Sequence, residues 1–163
     1  MKESTTKTLV LGLGNPIRSD DSVGLQVARA LEGKFNPQEV TVMEASVAGL
    51  DILDLLTGYE RAIIIDATQT GKGKVGQVYR FQLGELDTTQ HTTTSHGIDF
   101  VTALEMGKKL GLALPQQITI FAIEVQDVNS FGESCTPEVT KAIPICARMI
   151  IQEINGNFKT KVA

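Results

Sequence analysis

The stretch Arg61-Ala62-Ile63-Ile64-Ile65-Asp66-Ala67 decides the fold. Its apolar residues are consecutive rather than alternating, and three are β-branched. Such a run predicts a strand covered by helices on both faces. Working outward, Val40–Ala45 reads as a strand, and Leu50, Leu53 and Leu56 mark a helix stopped by Gly58. Thr8–Leu13 (TLVLGL) is an apolar strand closed by the turn signal Gly14-Asn15-Pro16. Between these strands, Ser22–Glu32 has the helical period, with Val23, Val27, Ala30 and Leu31 recurring at three and four.

Downstream of Ala67, Gly71–Lys74 is a turn and Val75–Leu83 a half-exposed strand. The short turn before it predicts antiparallel pairing. Gln90–Ser95 is a polar loop that includes His91, read as an exposed loop residue. Gly97–Leu110 is a helix with Ile98, Val101, Leu104 and Leu110 on one face, and Gln117–Val125 is a buried-type strand. After a polar loop over Asp127–Cys135, Thr136-Pro137 supplies an N-cap and first helical residue. Val139, Ile143, Cys146, Ile150 and Ile154 carry the last helix, which Pro144 is expected to kink or reset, with a frayed tail over 155–163. The expectation is one α/β domain over 1–163. Its sheet is twisted, mixed and mostly parallel, with about five strands and helices on both faces.

Composition sets the outer bounds. Of 163 residues, 42% are hydrophobic and 21% charged, which excludes disordered, collagenous and low-complexity classes. A net charge of −4 argues against a general nucleic-acid binder and against a basic membrane-surface protein. The apolar runs are strand-sized, well short of a membrane span, and the first residues lack a signal-peptide pattern. Cys135 and Cys146 form no CxxC pair, so idle thiols in a reducing cytoplasm are expected rather than a disulfide framework or a zinc site.

In sheets of this class, sites collect at the carboxyl ends of the strands. Three acidic or basic positions fall there: Asp20-Asp21 after the first strand, Asp66 ending the third, and His96 just before a helix. Each has a plain structural reading. An aspartate before a helix caps it, a strand-end aspartate binds loop amides, and a histidine before a helix sits on the surface. Taken together they read differently. Two carboxylates held close repel, and a divalent cation removes that cost. Carboxylates with a neutral imidazole suit zinc, nickel or similar ions, and three protein ligands leave positions open for water or substrate. The Gly12-Leu13-Gly14-Asn15-Pro16-Ile17 loop lacks the third glycine of a dinucleotide fingerprint, so no nucleotide is expected. Its glycines allow a tight turn that aims Asp20 and Asp21.

At these residues the chain resembles the hydrogenase maturation endopeptidases. Their G-x-G-N-x-x-x-x-D-[DE] loop is matched by Gly12 to Asp21, with Gly24 matching the glycine inside the following helix. Their strand-end D-A is matched by Asp66-Ala67, and their histidine opening a later helix by Ser95-His96-Gly97. Two departures stand out: Ser22 where many members have glycine, and Ser46-Val47-Ala48-Gly49 where members often have G-T-x-G. The second departure bears on partner identity rather than on the reaction.

The resemblance implies an endopeptidase that removes a C-terminal extension from the nickel-loaded precursor of a nickel–iron hydrogenase large subunit. Asp21, Asp66 and His96 would be both the catalytic and the metal-contacting residues. The divalent metal would be the substrate's own nickel, and action as a monomer fits. Either the metal activates water or the scissile carbonyl, or a carboxylate is the general base. No nucleophile competes: Ser95 lacks a G-x-S-x-G elbow, and Cys135 has no histidine nearby in sequence. Peptidyl-tRNA hydrolases share the opening Gly12 to Pro16, but their T-R-H-N segment is missing. A non-catalytic metal-sensing or metallochaperone-like module using the same three ligands is the other alternative.

Overall fold

The computed structural model describes residues 7–47, 50–83 and 97–156, with backbone alone at 97–99. The element order is β1 (Thr8–Leu13), a 3-10 turn (Ser19–Ser22), α1 (Val23–Leu31), β2 (Val40–Ala45), α2 (Asp51–Leu56) and β3 (Arg61–Thr68). Then come β4 (Val78–Gln82), α3 (Gly97–Lys109), β5 (Gln117–Glu124) and α4 (Pro137–Ile154). The five strands form one sheet in the order β2-β1-β3-β5-β4. All neighbours are parallel except β4, which pairs antiparallel with β5 at the edge. The mixed, mostly parallel sheet expected from the sequence is the one observed; β4 is antiparallel as expected, but the connection over 69–77 carries it past β5, so that it pairs with β5 at the edge rather than with β3.

Alternation divides the sheet into two apolar faces. Val10, Ile63, Ile65, Phe121 and Ile123 pack with Val23, Val27 and Leu31 of α1 and Val139, Cys146 and Ile150 of α4. Leu9, Leu11, Ile64, Ile118 and Ile120 pack with Ile52, Leu53 and Leu56 of α2 and Phe100, Ala103 and Leu104 of α3. In β3 every residue after Arg61 is buried. That is why its sequence is continuously apolar: each face meets a helix layer.

Three details depart from the sequence reading. On α3 the buried side chains are Phe100, Ala103 and Leu104, while Leu110 is 68% exposed. The helix ends at Lys109, and the chain turns at Gly111 with a left-handed φ of 72°, so Leu110 no longer follows the helical period. Ala30, counted on the apolar face of α1, is exposed beside the buried Leu31. Finally, α4 runs unbroken through Pro144. Pro144 lies on the exposed face, where solvent can satisfy the carbonyl that loses its donor. The polar loop around His91, and most of the expected tail, fall in segments 84–96 and 157–163, outside the described residues.

Candidate active site

The chain leaves β1 toward β2 on one side and returns through α2 to β3 on the other. The carboxyl ends of β1 and β3 therefore form the topological switch point, where crevices open in such sheets. Glycines bring the first helix down onto it. A Cβ on Gly24 would press on the carbonyl oxygens of Leu13 and Ile65, and one on Gly12 on the Gly24 carbonyl and the Ala28 methyl. With both absent, α1 begins directly over the last residues of β1 and the residue before Asp66. Gly14 does the same for the preceding turn: its Cα faces the Asp21 carbonyl, which accepts from the Asn15 amide at 3.2 Å.

The two adjacent aspartates have different surroundings. Asp20 is fully buried. Its Oδ2 accepts from the backbone N–H groups of Gln126 (3.0 Å) and Asp127 (2.9 Å). Its Oδ1 accepts from the Thr136 N–H at 2.6 Å, and the Thr136 hydroxyl lies within 3.0 Å of both oxygens. A carboxylate before α1 was expected to cap that helix. Instead Asp20 receives amides from the loop after β5 and from the start of α4, while α1 has no side-chain cap. Asp21 is partly exposed at the rim, its amide donating to the Arg18 carbonyl at 2.8 Å.

Asp66 lies at the end of β3 and is 1% exposed. Its neighbours Ile65 and Ala67 pack on the α1/α4 side and Ile64 on the α2/α3 side. By alternation Asp66 belongs to the α2/α3 face. Its Oδ1 accepts from the Ala67 amide at 2.8 Å. The 3-10 turn that carries Asp21 packs against β3.

Helix α3 is oriented toward the same edge. Just past its C-terminus, the Ala113 carbonyl accepts from Gly58 and the Gln116 amide donates to Glu60, both at the amino edge of the sheet. Thirteen helical residues span ~20 Å, enough to carry the start of α3 from the amino edge across the sheet. His96, the residue before it, lies outside the described residues. Among the described residues no group of three His, Cys, Asp or Glu is placed to hold a metal ion.

One buried carboxylate at this edge escaped the sequence reading. Glu124 closes β5 and is 2% exposed. It accepts from the Thr70 amide (2.8 Å), the Thr70 hydroxyl and the Tyr79 hydroxyl (3.1 Å), pinning the turn after β3. Burial first, and the Glu124 carboxylate as well, push the Tyr79 phenol above its usual range, against the Thr70 hydrogen bond. The signal was present: a lone acid inside the apolar run QITIFAIEV must be paired.

Both cysteines are free thiols. Burial pushes the Cys135 thiol up, the negative charge of Asp20 adds to this, and the Ser22 hydroxyl at 3.6 Å opposes it. A raised thiol is a poor nucleophile at neutral pH.

Comparison with known proteins places this architecture. A family model described as hydrogenase maturation protease matches residues 25–153, a span that includes Asp66 and position 96. The chain is 31% identical to the hydrogenase 2 maturation protease of Escherichia coli (strain K12) over 71 residues, which is 43% of each protein. It is 23% identical to the hydrogenase expression/formation protein HupD of Rhizobium leguminosarum bv. viciae over 153 residues, covering 92% of this chain and 75% of that one. Among solved structures, the hydrogenase maturating endopeptidase HybD from E. coli superposes with a TM-score of 0.79 at 21% identity, covering 93% of this chain and 94% of that one. That likeness establishes the shared fold. The family match extends over most of the chain, and the chain belongs to the hydrogenase maturation protease family.

Proposed function

We propose that this protein is an endopeptidase acting on the nickel-loaded precursor of a nickel–iron hydrogenase large subunit, from which it removes a C-terminal extension. Asp21, Asp66 and His96 contact the precursor's nickel. The observation that supports this reading is that the turn bearing Asp21 packs against β3, the strand that bears Asp66, at the switch point of the sheet.

The chemistry follows from charge. A loaded precursor brings a 2+ ion to a rim with two carboxylates, and an unloaded one brings none. The ion adds an attraction to two neighbouring carboxylates that an unloaded precursor does not supply, and this favours the loaded form. Held by these residues, the substrate's ion would polarise the scissile carbonyl or its attacking water; in the alternative, Asp21 or Asp66 is the general base and the ion only registers the substrate. The raised thiol of Cys135 leaves covalent cysteine catalysis unsupported.

Incubation with nickel-loaded and nickel-free precursor, followed by mass spectrometry, tests the reading. Loss of a C-terminal peptide from the loaded form alone is expected. Stable association without shortening would instead make the protein a binding module. Equal cleavage of both forms would remove nickel from the recognition step.

A further inference from the structure

We propose that Asp20 is a positioning residue: its buried carboxylate joins three segments and thereby fixes where Asp21 stands. This rests on the reading that Asp21 meets the substrate's metal. Three observations support it.

First, the acceptor pattern crosses the fold. Through its two oxygens Asp20 takes the amides of Gln126 and Asp127 after β5 and the amide and hydroxyl of Thr136 at the start of α4. Its own amide donates to the Asp127 carbonyl at 2.9 Å. The residue is therefore held through backbone and side chain at once.

Second, Thr136 is the N-cap of α4 but makes no side-chain cap to its own helix. An N-cap hydroxyl ordinarily accepts from an amide of the first turn. Here it faces the Asp20 carboxylate instead, which lies off the positive end of an 18-residue helix. The helix start is used to hold a residue of a distant loop.

Third, the turn around Asp20 is fixed at each neighbouring residue. Ser19 adopts a left-handed φ of 31°. Its amide donates to the Gly132 carbonyl at 2.9 Å, and the Gly132 amide donates to the Ile17 carbonyl at 2.9 Å. The Ser22 hydroxyl donates to the Ser19 carbonyl at 2.7 Å. The turn that brings Asp21 to the rim is thus tied down at Ser19, Asp20 and Ser22.

A double-mutant cycle distinguishes positioning from simple support of the fold. Asp20→Asn keeps the volume but turns an amide nitrogen toward donor N–H groups. It should lower kcat/KM for loaded precursor by about tenfold to a hundredfold, the cost of a displaced contact residue. In an Asp21→Asn background the same change should add less than about twofold, while the fall in melting temperature is the same in both backgrounds. Losses that multiply in full would overturn the proposal.

A second readout needs no substrate. The carboxyl 13C resonance of Asp21 should move in Asp20→Asn and, less far, in Thr136→Val, while those of Glu60 and Glu153 at the amino edge of the sheet stay in place. An unmoved Asp21 resonance would also overturn the proposal. If the unaltered protein leaves the precursor uncut, the functional reading fails, and the positioning role is decided by the resonance alone. Should Asp20→Asn not fold, Thr136→Val carries both measurements.

Discussion

Asp20 and Glu153 are buried carboxylates at opposite ends of the same helix, and they are accommodated by different means. Asp20 lies off the N-terminus of α4 and is met by backbone amides and a hydroxyl. Glu153 lies in the last turn of α4, its side chain 4% exposed, where the helix dipole opposes a negative charge. Side-chain cations compensate there. Arg80 approaches through Nε (3.0 Å) and Nη2 (2.8 Å), and Arg61 through Nη2 (3.2 Å). At the amino edge of the sheet, long arginines tie β3 and β4 to the helix end without fixing any loop. At the carboxyl edge, amides fix the backbone of two loops. One end secures the fold, and the other, on the proposal made above, sets the geometry of the candidate site.

The sharpest way to break this division is to remove Asp66, the buried acid near the end of β3. Asp66→Ala should slow processing of loaded precursor by at least about a hundredfold, as expected when a group that stabilises the reacting centre is lost. Its melting temperature should stay within a few degrees, roughly a 1 kcal/mol change. A cleavage assay showing ordinary processing would remove Asp66 from the site.

At the other end the effects should reverse. Glu153→Ala leaves two arginines facing each other and should cost on the order of 3 kcal/mol, the scale of a broken buried pair, read as a lower urea midpoint. Cleavage measured well below the melting temperature should be unchanged. A variant equally stable but slow would mean that the amino edge also shapes the site.

Within that network the two arginines should rank. Arg80 makes two charge-assisted contacts to Glu153. Arg61 makes one, plus a longer one to the Glu153 carbonyl (3.3 Å), and its Nε has no hydrogen-bond partner among the described residues. Arg80→Met should therefore cost about 2 kcal/mol, and Arg61→Met clearly less. The reverse order in denaturant melts would show that Arg61 acts through the end of the sheet rather than through Glu153.

The two ends also differ in how far the sequence revealed them. The strands were legible because burial on both faces leaves a continuous apolar run, as in Arg61–Ala67. The antiparallel direction of β4 followed from the short turn after β3, but its pairing with β5 at the edge did not. The pair Asp20-Asp21, Asp66 and His96 were singled out by the rule that sites lie at strand carboxyl ends, and Asp21 within the pair by the family resemblance. What stayed hidden was long-range pairing. Nothing local says that Asp20 bonds to Thr136, or that Glu153 meets Arg61 and Arg80, since each partner lies 70 or more residues away. The expected capping of α1 by an aspartate failed for this reason: a nearby amide lost to distant ones.

Cys146 lies between the two ends, in the middle of α4, and gives the mildest test. It is fully buried, and burial alone pushes its thiol from the ordinary 9.0 to about 12. The folded chain therefore keeps this proton over a range in which the unfolded chain has released it. Stability is complete below pH 9 and falls as pH rises toward 12, because the unfolded state binds fewer protons there. At pH 9.5 the loss should be roughly 1 kcal/mol. Cys146→Ala carries a fixed packing cost but no thiol to titrate, so its stability should decline less steeply across the same range. Paired urea melts at pH 8 and 9.5 compare the slopes. Equal slopes would assign the alkaline loss to the charged ends of the helix rather than to its centre.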